Sequence, residues 1–103
     1  MSNVDMEKAR RETNRWLILQ CLNCARPIGA SEALIITALS DTVPITKLEL
    51  QRELDYLESR ELVEVTGKDG PCWHAKLVRA GIDVVEYTVL CEPGIARPKK
   101  YWA

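Results

Sequence analysis

The chain has 103 residues, 47% of them hydrophobic and 28% charged, with a formal net charge of −1. That length supports one domain burying only roughly 60–65% of its unfolded surface, and the composition is that of an ordinary globular chain. No apolar run approaches the ~18 residues of a membrane span, and Met1 to Arg15 is too charged for a signal peptide, so a single cytoplasmic domain over residues 1–103 is expected.

The charge is unevenly placed. Residues 1–31 carry five basic and three acidic groups, and residues 67–103 carry six and four. Residues 32–66 carry three and eight, a local balance of −5.

Asp5 to Ala25 reads as a long helix, charged at first and then apolar from Trp16 to Leu22. Its first half is amphiphilic at best and is expected to project from the domain. Arg26-Pro27 ends it, because a residue before proline is driven out of helical geometry. Gly29-Ala30-Ser31 is a connector in which Ser31 can cap the next helix. That short helix, Glu32 to Leu39, would bury Leu34, Ile35, Ala38 and Leu39. A turn over Ser40 to Pro44 leads to a third helix. Thr46 can cap it, with Glu49 as the reciprocal partner of a capping box. Leu50, Leu54 and Leu57 recur at helical spacing to about Arg60 and are expected to pack against Leu34, Ile35 and Trp73.

Leu62 to Thr66 and Cys72 to Val78 then read as the strands of a hairpin, joined by turn residues from Gly67 to Pro71. Trp73, Ala75 and Leu77 alternate inward, with His74 and Lys76 outward. Arg79 to Tyr87 is a last short helix built on Ile82 and Val85. The core spans about residues 16–87. Residues 88–103 form an extended tail whose Ile95, Tyr101 and Trp102 are expected to pack on the same or a neighbouring subunit.

A helix running at once into a two-stranded hairpin is how a winged helix-turn-helix domain ends. The stretch T-K-L-E-L-Q-R-E-L-D-Y-L-E-S-R-E-L-V, from Thr46 to Val63, resembles the recognition helix and following strand of MarR, ArsR and PadR-type winged-helix regulators. W-H-A-K-L-V-R-A-G-I-D-V-V-E, from Trp73 to Glu86, resembles the second wing strand and next helix of that group. The whole chain, with its G-I-A-R-P tail, resembles small winged-helix proteins of Mu-like prophages. The resemblance implies an α+β winged helix-turn-helix of order α-α-α-β-β-α plus tail. Two positions depart from the pattern. Glu61 stands where glycine usually ends the third helix; a non-glycine at positive φ costs about 1 kcal/mol, so a different turn is expected. Val78 stands where threonine often caps the last helix.

The resemblance implies binding of double-stranded DNA, most simply by a small transcriptional regulator acting as a homodimer through its first helix and C-terminal segment. Lys47, Gln51, Arg52 and Tyr56 on the third helix are candidate contacts, since such helices offer cations and amides to bases and phosphates. Lys68, His74, Lys76 and Arg79 could form a backbone-contacting strip along the wing. Glu49, Glu53 and Asp55 would repel phosphate unless each is paired locally, and Glu49 or Glu53 could instead tie up Arg52. The alternative is a winged helix used as a protein-interaction module, with the acidic third helix facing a protein partner. Arg10, Arg11 and Arg15 could touch DNA or merely solvate the first helix.

Cys21, Cys24, Cys72 and Cys91 read as buried free thiols, with zinc or redox use of Cys21-x-x-Cys24 as the lesser alternatives. No cofactor or metal is expected. No phosphate loop or nucleophile–base set points to an enzyme, and no membrane partner is expected.

Overall fold

The computed structural model describes residues 3–100, folded as a small α+β domain. Its elements in chain order are α1 (Asn3–Cys24), β1 (Ala30–Ser31), α2 (Glu32–Leu39), α3 (Lys47–Ser59), β2 (Val63–Thr66), β3 (His74–Leu77) and α4 (Arg79–Val85). The strands form one antiparallel sheet in the order β1-β3-β2. Three helices, a small sheet and a final helix follow the expected order, with one addition. Residues 30–31, read as connector, form a strand against β3, pairing Ala30 with Ala75 and Ser31 with His74. A two-residue strand has no alternation to betray it; only its long-range partner defines it. Gly29 enters it at φ 87, where an added Cβ would overlap the Ala75 carbonyl oxygen.

Local capping follows the sequence. Ser31 accepts a hydrogen bond from Leu34 N at 3.2 Å. Thr46 and Glu49 form both arms of a capping box at 3.1 and 3.2 Å, satisfying two donors that the helix itself cannot. Ile45 before the cap and Leu50 beyond it both enter the core, the arrangement of a hydrophobic staple. At the other end of α3, Glu61 takes φ 62. Leu62 N donates to Leu57 O and Glu61 N to Glu58 O, which is a Schellman termination. The turn expected to differ therefore does not. Glutamate occupies the left-handed position that glycine would fill.

Ile18, Leu19 and Leu22 of α1, Ile35 of α2 and Leu50, Leu54 and Leu57 of α3 are fully buried. The α3 face is the one its leucine spacing predicts, but the α2 face differs in part from its apolar pattern. Leu34 is 53% exposed and Ala38 is exposed, while Glu32 is 3% exposed. Glu32 turns inward because its carboxylate has work there: Oε1 accepts from Trp73 N at 2.6 Å and Oε2 from Gln51 Nε2 at 2.8 Å. Trp73 lies just before β3, half-buried against the core. In α4 the fully buried residues are Gly81 and Val84, with Ile82 and Val85 only half-buried.

Residues 88–100 pack on their own domain. Ala96 N donates to Glu12 O at 3.1 Å, and Arg97 Nη1 reaches the carbonyls of Val84 and Val89, both at 2.9 Å. Arg97 also lies over the Tyr87 ring, which meets Trp16 edge-on at 6.1 Å. The expected packing of Tyr101 and Trp102 lies outside the described residues. No described helix is long and apolar enough to cross a membrane.

Val78 sits at the N-cap of α4 with extended geometry, φ −96 and ψ 177, but offers no side-chain acceptor. Val78→Thr supplies one without changing the backbone, so it is expected to stabilise the domain by about 0.5–1 kcal/mol. An unchanged or lower urea midpoint would mean that the hydroxyl fails to reach the free N–H groups of the first turn.

Candidate nucleic-acid interface

Helical geometry divides α3 into four flanks. Leu50, Leu54 and Leu57 face the core. Leu48, Arg52, Asp55 and Ser59 face outward and are exposed, as their spacing predicts. The two remaining flanks meet α1 on one side and the hairpin and α2 on the other.

On the α1 flank, Arg10 Nη1 bonds Glu49 Oε2 at 2.7 Å, and Arg15 Nε bonds Glu53 Oε1 at 2.8 Å. Arg15 also donates to Gly94 O at 2.9 Å and lies 3.6 Å over the centre of the Tyr56 ring. Tyr56 is thus stacked under Arg15 and against Gly94, where an added Cβ would overlap its hydroxyl. It holds the tail rather than facing solvent as a candidate DNA contact.

On the hairpin flank, Lys47 Nζ donates to Pro71 O at 3.1 Å. That carbonyl is neutral, so the ammonium keeps its charge beside the hairpin tip. Gln51 is half-buried and committed to Glu32. Lys68 reaches back from the turn to Asp55 Oδ1 at 2.7 Å and Glu58 Oε1 at 2.6 Å, with the Trp73 ring 5.2 Å away. Hydrogen bonds from Lys68 and the Val65 backbone hold the Glu58 carboxyl below the usual carboxylate range, and Asp55 and Glu58 push the Lys68 ammonium above the usual lysine value. Burial works against ionisation of Glu49, but hydrogen bonds from Thr46 and Arg10 outweigh it and keep its carboxyl below the usual range.

The four carboxylates of α3 between Glu49 and Glu58 therefore each bond a cation from elsewhere in the chain, with Asp55 and Glu58 sharing Lys68. Counting α3 with Arg10, Arg15 and Lys68, five cations stand against four carboxylates. The acidity of residues 32–66 does not persist as a bare acidic helix face. Arg52, which could have been tied to Glu49 or Glu53, makes no hydrogen bond or ion pair to any described residue.

The remaining candidates, on β3 and at the start of α4, do not join this surface. Inward Ala75 and Leu77 place Lys76 on the opposite face of the sheet, with half-buried His74 beside it and Glu64 and Thr66 as their paired neighbours. The Gly29 backbone crosses close to His74 and Lys76. Arg79 is exposed at the base of the hairpin, beyond β3. Of the eight candidate contacts, Lys47 and Arg52 share the α3 surface as available cations. Lys68 shares it as the common ion-pair partner of Asp55 and Glu58. The contributions of Arg10 and Arg15 had no local signal, since each pairs with a residue 38 or 39 positions away.

The cysteines depart from the buried-thiol expectation. Cys24 and Cys72 are exposed, and Cys21 and Cys91 half-buried. Burial, with Cys24 close by, pushes the Cys21 thiol up, away from the reactive thiolate form. Among the described residues no cluster of three or more His, Cys, Asp or Glu side chains is placed to hold a metal ion. Comparison with known protein families, curated proteins and solved structures gives no match for this chain.

Proposed function

We propose that the domain is a winged helix-turn-helix that binds double-stranded DNA, with α3 in the major groove and the β2–β3 hairpin as its wing. The observation that carries this reading is the pairing of every α3 carboxylate from Glu49 to Glu58, which leaves Arg52 on an uncovered outward face. An unpaired guanidinium there can meet a DNA phosphate, as can Lys47 in the first turn of the helix. The order of helices, hairpin and final helix supports the same reading. A small transcriptional regulator, of the kind carried by Mu-like prophages, is the simplest role. Exposed Val4 and Met6 at the start of α1 and Leu90 near the tail are the apolar surface that a second copy would cover in a homodimer.

Few cations reach the surface, so binding should be modest and salt-sensitive. With about two to four phosphate contacts per subunit, log affinity should fall against log salt with a slope of roughly −2 to −4. Arg52→Ala and Lys47→Ala should each weaken all duplexes alike and flatten the salt slope by about 1. Lys68→Ala should also weaken all of them, by releasing Asp55 and Glu58 toward phosphate. Fluorescence anisotropy on labelled duplexes at two salt concentrations measures each effect.

A second reading is favoured by one observation. Leu34 on α2 and Leu48 on α3 are 53% and 66% exposed, and an apolar side chain on a groove-facing helix also suits a protein partner. Failure of any duplex to bind at low salt transfers the α3 surface to that role.

A further inference from the structure

The outward face of α3 is bordered by the hairpin on one side and by the first half of α1 on the other. Along the α1 border two adjoining clefts open, and Arg11 and Arg52 line both. The other guanidiniums in these clefts are engaged, Arg10 with Glu49 and Arg15 with Glu53. Arg11 is half-buried, yet makes no hydrogen bond or ion pair to any described residue, and neither does Arg52. Each presents a planar fork of N–H donors with no acceptor among the described residues. Glu7, one turn before Arg11, lines the first cleft together with Glu49 and Glu53.

Two unpaired guanidiniums on one cleft repel each other until an anion sits between them. The ligand that answers this geometry is a tetrahedral oxyanion with several acceptor oxygens, which arginine forks match bidentately. We propose that Arg11 of α1 and Arg52 of α3 form a phosphate-binding clamp. If α3 lies in the major groove, as the DNA-binding reading on which the identity of this ligand rests requires, the clamped group is a backbone phosphodiester on the α1 side. The interface would then reach beyond helix and wing: Lys47 and the hairpin meet one wall of the groove, and α1 meets the other.

The test uses the full chain with two probes, a labelled random-sequence duplex and inorganic pyrophosphate. Arg11→Ala should lower duplex affinity roughly tenfold, the loss of one charge-assisted contact, and flatten the log–log salt slope by about 1. Arg11→Lys should keep the slope, because the charge remains, while recovering only part of the affinity. Glu7→Gln, which removes a carboxylate and touches nothing in the core, should raise affinity by roughly two- to fivefold. Pyrophosphate should shift the side-chain Nε resonances of Arg11 and Arg52 but leave those of Arg10 and Arg15 in place. Duplex binding indifferent to Arg11 and Glu7 would overturn the clamp and leave the DNA-binding reading standing. Pyrophosphate binding that depends on Arg11, with no duplex binding at any salt, would keep the clamp and overturn that reading. Absence of both would remove the clamp as well.

Discussion

Arg15→Ala is expected to destabilise the domain by about 3–5 kcal/mol, the range seen when one partner of a buried ion pair is removed. The side chains of Arg15 and Glu53 are only 13% and 5% exposed, and their contact is 2.8 Å. Alanine would leave the nearly buried Glu53 carboxylate without its cation. The same substitution removes the guanidinium from the Tyr56 ring and from Gly94 O, so the tail loses an anchor together with the helix. Were the pair solvent-exposed, the loss would stay below about 1 kcal/mol; a urea measurement giving so small a value would place Arg15 at the surface. A second measurement separates charge from packing. Arg15→Met with Glu53→Leu removes both charges while keeping apolar volume, and should recover most of the stability lost by Arg15→Ala. Faster proteolysis between Pro93 and Ala96 in the single variant, restored only by arginine, would locate the anchoring in the guanidinium itself.

That pair also marks the boundary of what could be read in the chain. The heptad-like leucines of α3, its capping box and the hairpin turn are local signals, because each depends on residues within one or two helical turns. They appear in the structure where their spacing put them. The residues that decide the candidate site are related over long distances. Arg10 finds Glu49 and Arg15 finds Glu53 only after α1 has packed on α3. Charge summed along residues 32–66 therefore describes the segment and not the surface. The burial of Glu32 has the same origin. A glutamate in the first turn of a helix reads as solvated, and only the arrival of Trp73 N and Gln51 on its carboxylate gives it a reason to turn inward. Leu34 moves outward in consequence, because a short helix cannot bury both flanks. At Glu61 the sequence misled in the opposite direction. An unfavourable residue implied a changed turn, but the Schellman hydrogen bonds and the burial of Leu62 outweigh a local cost of about 1 kcal/mol.

The tail shows how function and stability share residues. Arg60 donates to Pro93 O at 2.7 Å and Arg97 ties residues 84 and 89, so residues 93–97 act as a strap across α1, α3 and α4. Tyr56 lies beneath that strap and on α3 at once. Stacked under Arg15 and against Gly94, it ties α3 to α1 and to the strap.

Gly81→Ala is expected to destabilise by about 1–2 kcal/mol, although helix propensity alone favours alanine by about 1 kcal/mol. Gly81 is buried within α4 with ordinary helical backbone, so its role is not conformational freedom. A Cβ there would overlap the Leu62 carbonyl oxygen and come within 3.0 Å of Leu77 Cδ2. The leucine tip can rotate, but the carbonyl cannot. It accepts from Val78 N at 3.2 Å and belongs to the residue closing the Glu61 turn. Relief therefore requires α4 to shift away from the start of β2, taking Val84 with it out of the core. Forced displacement of a packed element typically costs 1–3 kcal/mol, and here it exceeds the propensity gain. Gly81→Ser should behave like Gly81→Ala, since the clash begins at Cβ, and Gly81→Val should be worse. A higher urea midpoint for Gly81→Ala would mean that α4 sits farther from Leu62 than the close approach described, with propensity left as the deciding term.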